Sequence, residues 1–183
     1  MLTRTQTLGK FPIALSMGQR LTAQMRACAS WATIEEHDKI LDMACGDGAL
    51  LNYLNNHYRL TLCGMCDSPE QARAVREQLG DADVIYAQME DIPWRDHTFD
   101  ALMLSSPMRG DARRILDEAL RVLKYGGQLV VAMPAFHFHQ EGEIGRREMM
   151  RLMQEAGFGE VSFRITGLTG ALVGWKKTIL PEA

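Results

Sequence analysis

The chain lacks an excess of charge of either sign. Its 183 residues contain 20 Lys and Arg against 23 Asp and Glu, for a formal net charge of −3 at pH 7. A protein whose main task is to bind nucleic acid ordinarily presents a basic surface to the phosphate backbone. We therefore expect no nucleic-acid partner.

Long hydrophobic runs are also missing. No apolar stretch of the sequence approaches the ~18 residues that a membrane-spanning helix requires. The N-terminus lacks the basic start and apolar core that are typical of a secretory signal. The sequence thus predicts no membrane partner and a cytoplasmic location.

Acidic residues are absent from the first 34 positions. Four basic residues occur there, namely Arg4, Lys10, Arg20 and Arg26. This bias faintly resembles a transit peptide. Apolar residues recur at helical spacing over 18–34, however, which favours a helix laid over the domain with its basic side chains in solvent. We therefore predict an N-terminal helical segment over 1–34 and the main domain over 35–183.

Cysteine is scarce and shows no disulfide framework. The four cysteines are Cys28, Cys45, Cys63 and Cys66. Cys63 and Cys66 have the spacing of a redox pair or of half a zinc site, but they lie on a predicted strand, where residues three apart face opposite sides. There is no second CxxC pair. We expect neither a metal site nor a disulfide, in agreement with a reducing cytoplasm.

Short apolar runs alternate with amphipathic segments along the rest of the chain. Strands are predicted at 39–44, 60–66, 83–87, 99–105, 128–133, 159–165 and 171–178. Helices are predicted at 18–34, 48–58, 69–79, 111–124 and 143–156, with Gly126-Gly127 ending the fourth. This alternation indicates a parallel sheet covered on both faces by right-handed crossovers. In such sheets ligands bind at the carboxyl ends of the strands.

The loop after the first strand is rich in small residues. It reads Asp42-Met43-Ala44-Cys45-Gly46-Asp47-Gly48, and leucines at helical spacing follow it. Glycine has no Cβ and tolerates φ > 0, so the backbone can pass close to a ligand here. The helix N-terminus behind the loop offers free N–H groups and a positive dipole end. Alone, the loop is a weak indication of a nucleotide site.

Further motifs follow in order. They are Gly64-Met65-Cys66-Asp67-Ser68-Pro69-Glu70, Gln88-Met89-Glu90-Asp91-Ile92-Pro93-Trp94, Phe99-Asp100, Arg121-Val122-Leu123-Lys124-Tyr125-Gly126-Gly127-Gln128-Leu129 and Ala156-Gly157-Phe158. Together with the first loop they make the run from about Asp38 to Ala132 resemble the class I S-adenosylmethionine-dependent methyltransferases. The resemblance is strongest to the ubiquinone/menaquinone-biosynthesis-like branch, methyltransferase type 11.

The resemblance has consequences for fold and function. It implies a single-domain α/β fold that is Rossmann-like and doubly wound, with about seven strands, mostly parallel, and an antiparallel final hairpin. On this resemblance, residues 1–34 are expected to form a helical lid over the cofactor, and residues 35–183 are expected to form the methyltransferase domain. The cofactor is expected to be S-adenosylmethionine, the product S-adenosylhomocysteine, and the acceptor a small molecule. The protein is expected to be a monomer or a homodimer.

The resemblance also assigns the methionine end of the cofactor to the first loop. Asp42 and the backbone nearby would hold the ammonium group, and Gly46 would let the chain pass close to the cofactor. Ala44 stands where the family often has Gly, and Cys45 lies between them. Ser105, after the fourth strand, completes the predicted contacts outside the second and third motifs.

The second motif departs from the family pattern. The family places a ribose-binding acid where this chain has Cys66, and the acid here is Asp67, one residue later. Because strand side chains alternate, such a slip turns the carboxylate away from the ribose, unless a bulge or an early strand end re-aims it. Asp67 is thus either a ribose ligand or else a helix N-cap or solvated loop acid.

The third motif departs as well. Gln88 stands where an acid commonly accepts the adenine amine, and a glutamine carbonyl can accept the same bond. Met89 and Glu90 are assigned to the same pocket. Trp94 either walls the adenine pocket or packs against the core.

The acceptor side of the site is poorly defined by the sequence. His137, His139 and Glu141 follow the fifth strand and are the candidate general bases. The leading hypothesis is methyl transfer to a small molecule. The alternative is a non-catalytic relative that acts as a ligand sensor or interaction module because its ribose and adenine contacts are altered. A nicotinamide-dependent oxidoreductase is disfavoured, because its fingerprint fits only as Ala44-x-Gly46-x-x-Ala49.

Overall fold

The computed structural model describes residues 21–80, 82–134 and 144–178. In chain order the elements are α1 (Ala23–Trp31), β1 (Lys39–Asp42), α2 (Ala49–His57), β2 (Thr61–Cys66), α3 (Pro69–Leu79), β3 (Asp83–Tyr86), β4 (Phe99–Leu104), α4 (Ala112–Val122), β5 (Leu123–Pro134), α5 (Arg146–Ala156), β6 (Phe158–Thr166) and β7 (Thr169–Lys176). Among these residues no helix combines the length and the apolar character needed to span a bilayer.

The strands form one seven-stranded sheet in the order β3-β2-β1-β4-β5-β7-β6. Strands β1 to β5 run parallel, whereas β7 pairs antiparallel with β5 and with β6. The predicted mostly parallel sheet with an antiparallel final hairpin is confirmed. Because β1 to β4 run parallel, the loops that follow these strands lie at the same edge of the sheet. Strand order reverses between β1 and β4, and in such folds ligands bind at this edge, beside the point of reversal.

Each face of the sheet carries its own core. Helices α1, α2 and α3 cover one face, where Leu50, Leu54 and Val75 are buried. Helices α4 and α5 cover the other, where Ile115 and Met153 are buried. Period-two alternation sends neighbouring strand residues to opposite faces, and Cys63 and Cys66 accordingly fall in different cores. The expectation that these two cysteines do not pair is confirmed.

The predicted boundary between the fourth helix and the fifth strand is wrong. The fourth helix ends at Val122, and Gly126-Gly127 lies inside β5. Leu123 is already extended, with ψ 138°, and it is the register partner of Phe99 on β4. Pairing with a distant strand therefore ends the helix before the glycines are reached.

Helix α1 packs on the sheet beside β5 and β7 and is shorter than the predicted 18–34. Its Cys28 thiol donates to the Leu104 carbonyl at 3.4 Å, and the Arg164 guanidinium lies 5.2 Å from the centre of the Trp31 ring. Residues 1–20 of the predicted lid segment lie outside the described residues. The part that the structure describes is a core-covering helix.

Candidate active site

The first loop is held between its two neighbouring strands. The Met43 N–H donates to the Met103 carbonyl at 2.9 Å, and the Cys45 N–H donates to the Met65 carbonyl at 2.8 Å. Both bonds continue the pairing of β1 beyond its end at Asp42. The loop therefore has a defined position at the edge of the sheet before any ligand binds.

Gly46 is the open point of this loop. Its φ is +53°, in the left-handed region, and apart from its chain neighbours no atom of the described residues lies within 4 Å of the position that a Cβ would take. A side chain at this position would be strained and would extend into the space above the loop. The residue thus leaves the space above the loop open, and the approach of its backbone to a ligand stays a prediction.

Asp42 lies below this loop and is fully buried. Its Oδ1 accepts a hydrogen bond from the Ala44 N–H at 3.2 Å, whereas its Oδ2 has no hydrogen-bond partner among the described residues. The pKa of this carboxyl is raised to about 7, chiefly by burial; the Ala44 N–H lowers it, and the nearby charge of Asp47 raises it. A buried carboxylate oxygen without a partner is costly unless a cation pairs with it. The arrangement fits an amino group, which would supply both hydrogen bonds and charge.

A cavity of about 220 Å³ opens beside the first loop. Its walls come from the loops after β1, β2, β3 and β4. They comprise Met43, Asp67, Tyr86, Ala87, Gln88, Met89, Glu90 and Arg109. The structure therefore brings together four of the predicted cofactor residues, from the second and third motifs, beside the loop that carries the first.

Asp67 faces this cavity although it is one residue later than the family pattern. Strand β2 ends at Cys66, so Asp67 is the first residue of the loop and is free of the strand alternation. Its carboxylate is 68% exposed and lies 3.8 Å from the Arg109 guanidinium. The geometry matches the early strand end, one of the two ways in which the slip can be compensated.

Arg109 and Tyr86 were missed by sequence reasoning. The one available signal was their position in or beside loops at the carboxyl edge of the sheet.

Trp94, by contrast, packs edge-on against Phe99, with 5.5 Å between ring centroids, and its Nε1 donates to Asp83 at 3.1 Å. It packs against the core and is not among the residues lining the cavity. Glu90 lines the cavity and also accepts a bond from the Asp111 N–H at 3.1 Å.

Cys45, Cys66 and Ser105 are buried next to the site. Cys45 and Cys66 are bonded to each other as a disulfide, with 5.5 Å between their Cα atoms, a usual separation for such a bond. The expectation of no disulfide is therefore wrong. The partners stand 21 positions apart and meet because the Cys45 N–H donates to the backbone of β2, a contact that no local spacing reveals.

A second cavity, of about 120 Å³, lies at the carboxyl ends of β4 and β5. Its lining is Gln24, Ser106, Pro107, Met108, Val131, Ala132, Met133, Ile144 and Met149. None of these side chains is charged, and three are methionines, which adapt to irregular apolar ligands. The candidate general bases His137, His139 and Glu141 lie outside the described residues.

Comparison with known proteins agrees with this geometry. Residues 41–131 match the model of a family described as a methyltransferase domain. A demethylmenaquinone methyltransferase of Thermotoga maritima is 32% identical over 97 residues, which are 51% of this chain and 42% of that protein. A ubiquinone/menaquinone biosynthesis C-methyltransferase of Proteus mirabilis is 26% identical over 191 residues, covering 79% and 74% of the two chains. This chain thus spans less than half the length of the Thermotoga relative.

Solved structures share the fold. A TehB-like S-adenosylmethionine-dependent methyltransferase from Corynebacterium glutamicum superposes with a TM-score of 0.69 at 16% identity, covering 87% of this chain and 90% of the other. The predicted Rossmann-like α/β fold is confirmed.

Proposed function

Residues 41–131 belong to the methyltransferase domain family, and on that premise we propose that this protein transfers a methyl group from S-adenosylmethionine to an uncharged small molecule. The observation that carries the proposal is the buried Asp42 Oδ2, which has no partner among the described residues and lies beneath a glycine loop open to a ligand. The chemistry supplied by the cofactor, when bound, is a methyl group activated by a sulfonium.

The chain's own residues divide the binding task. Asp42 would pair with the amino group of the methionine moiety, and Gly46 would allow the backbone to approach it. Asp67 and Gln88 line the cavity beside the loop, and we propose that they accept hydrogen bonds from the ribose and the adenine.

The acceptor belongs, in this proposal, to the 120 Å³ cavity at β4 and β5. The described residues of its lining are uncharged and rich in methionine, which favours an apolar ring and disfavours a charged amine. A cavity of about 150 Å³ binds benzene, so this cavity of about 120 Å³ approaches the size that a single small ring occupies. The two relatives described above are named for demethylmenaquinone and for ubiquinone/menaquinone biosynthesis, which agrees with such an acceptor.

Positioning and the exclusion of water would supply much of the catalysis. A carbon or oxygen acceptor also needs to lose a proton. We propose His137, His139 or Glu141 for this task, because Met133 and Ile144, on either side of that segment, both line the acceptor cavity. Action in the cytoplasm, as a monomer or homodimer, stays a prediction.

Turnover with a panel of acceptors tests the function. Purified protein is incubated with S-adenosylmethionine and with phenols, quinol precursors or amines, and the S-adenosylhomocysteine formed is measured. We expect product with apolar phenols or quinols and none with amines. Product with the amines alone would contradict the assignment of the acceptor cavity.

The non-catalytic alternative rests on a specific observation. Cys66, at the place of the family's ribose acid, is bonded to Cys45 and is not among the residues that line the cavity. Titration calorimetry distinguishes the two functions. Binding of S-adenosylhomocysteine without turnover of any acceptor would support a sensor, whereas binding with turnover supports the enzyme.

Asp67→Asn should weaken binding of S-adenosylhomocysteine by about 1–2 kcal/mol, the range for loss of a charge-assisted hydrogen bond. The matched control is Asp91→Asn, since Asp91 is an exposed acid of the neighbouring loop that does not line the cavity. Calorimetry on both variants checks the effect. Equal affinities in the two variants would leave Asp67 as a solvated loop acid.

A further inference from the structure

The Cys45–Cys66 bond joins the first loop to the end of β2. Both side chains are buried, at 0% and 1% exposure. The Cys66 Sγ lies 3.9 Å from the carbonyl oxygen of Gly46, the open residue of the loop. The bond therefore sits directly beneath the backbone that would touch the cofactor.

The space under Cys45 is closed. Gly64 on β2 packs against the Cys45 side chain from the strand side. A Cβ at Gly64 would lie only 3.2 Å from the Cys45 Sγ and 2.8 Å from the Leu51 Cδ1, so no room is left there. The loop above is open at Gly46. Any displacement of Cys45 is thus directed away from the strand and towards the ligand side of the loop.

We propose that Cys45 and Cys66 form a reversible disulfide, and that its closure holds the first loop in the conformation that binds the cofactor. The effect on affinity rests on the proposed function, whereas formation of the bond does not. Oxidation of the pair raises the affinity for the cofactor, and reduction lowers it.

The physical reason is the distance between the two sulfurs. Bonded sulfurs lie about 2.05 Å apart, whereas two unbonded thiols require a van der Waals separation of roughly 3.5–4 Å. Because no room is left at Gly64 on the strand side, reduction moves Cys45, and Gly46 with it, into the space above the loop. A loop that is already fixed in its bound conformation also loses less entropy on binding.

The reaction balances with a low-molecular-weight disulfide of the glutathione type. A thiolate of the pair attacks that disulfide and releases one thiol, and the second cysteine then attacks the mixed disulfide and releases the other. Cys45 and Cys66 lose two electrons and two protons, which leave in the two thiols released. Burial of both cysteines means that the loop must open before exchange occurs.

The other two cysteines are unsuited to this chemistry. Burial raises the pKa of Cys63 to about 11 and that of Cys28 higher still. Since the thiolate is the reactive form, both remain inert at neutral pH. The pair beneath the loop differs from them in that its two cysteines lie within bonding distance of each other, whereas Cys28 and Cys63 are free.

Linkage makes the effect reciprocal. If closure of the bond raises cofactor affinity, then bound cofactor must stabilise the bond by the same factor. We expect about a tenfold difference in affinity, which corresponds to a shift of about 30 mV in the midpoint potential of a two-electron couple.

The experiment uses the whole protein equilibrated with oxidised and reduced glutathione at fixed ratios. Peptide mass mapping identifies the bonded cysteines, and titration calorimetry measures S-adenosylhomocysteine binding to the fully oxidised and fully reduced forms. Cys45→Ser and Cys66→Ser remove the pair, and Cys66→Ala repeats the test with a different replacement. The matched control is Cys63→Ala, which removes a buried thiol from the same strand on its other face.

The expected result is a Cys45–Cys66 bond, tenfold tighter binding in the oxidised protein, and loss of that difference in the pair variants but not in Cys63→Ala. Absence of the bond at all glutathione ratios, with binding intact, would overturn this proposal and leave the function standing. A bond that forms with equal affinity in both forms would overturn the control of binding. No binding in either form would overturn the proposed function and the effect on affinity together.

Discussion

Asp42→Asn is expected to stabilise the cofactor-free protein above pH 7 while it abolishes tight binding of S-adenosylhomocysteine. The pKa of the buried Asp42 carboxyl is raised from 3.8 to about 7 in the folded protein. Because the pKa of Asp42 is higher in the folded than in the unfolded protein, its protonation stabilises the fold fully below pH 3.8. This stabilisation is lost as the pH rises from there through about 7. An asparagine at position 42 can still accept the hydrogen bond from the Ala44 N–H but carries no charge. The free energy of unfolding of the variant therefore does not fall over this pH interval.

The size of the effect follows from the same shift. One pH unit corresponds to about 1.4 kcal/mol, so the free energy of unfolding of the two proteins should diverge by about 4 kcal/mol between pH 4 and pH 7. Denaturant melts of both proteins at pH 4, 5, 6, 7 and 8 measure the divergence. Parallel stability curves would show that folding does not raise the pKa of Asp42.

Binding in the wild-type protein should show the opposite pH dependence. An ammonium group beside Asp42 favours the ionised carboxyl, so below about pH 7 binding must release a proton. Affinity should therefore fall by up to tenfold per pH unit as the pH is lowered. The ionised, buried Asp42 thus lowers the stability of the cofactor-free protein above pH 7, and a bound cation would offset this loss.

Gly46→Val should reduce S-adenosylhomocysteine affinity by at least a hundredfold. The substitution places a β-branched side chain in the space above the loop, where, in the part of the chain that the structure describes, only the chain neighbours of Gly46 come within 4 Å of the Cβ position. Strain at φ +53° adds a cost in stability of about 1–3 kcal/mol, which must be separated from the loss of binding.

Gly167→Val provides that separation. Gly167 has φ +62° and equally open surroundings, but it lies in the turn between β6 and β7. Both variants should therefore lose similar stability in thermal melts, and only Gly46→Val should lose binding in calorimetry. Equal affinities in the two variants would move the cofactor away from the first loop.

Features that depend on neighbouring residues could be predicted from the sequence. Helix α3 begins at Pro69 as predicted, because Ser68 caps it by accepting the Gln71 N–H at 3.2 Å. The alternating strands and helices were predictable for the same reason. Each depends on apolar spacing within a dozen residues.

Features that depend on distant pairing could not be predicted. Helix α4 ends early because Leu123 pairs with Phe99 of another strand. The direction of Asp67 depends on where β2 stops, and the Cys66–Tyr86 pair with β3 is the last of that register. The Cys45–Cys66 bond and the apolar cavity likewise join segments far apart in the chain, so no local pattern carries them.

The reversal of strand order between β1 and β4 divides the site between two parts of the chain. The polar cavity is built mainly before residue 110, from the loops after β1 to β4, whereas five of the nine residues around the apolar cavity lie at or beyond Val131. The family match also stops at residue 131. On the proposed function, substitutions in the last third of the chain could therefore change the methyl acceptor, while the loop that we propose for the methyl donor stays the same.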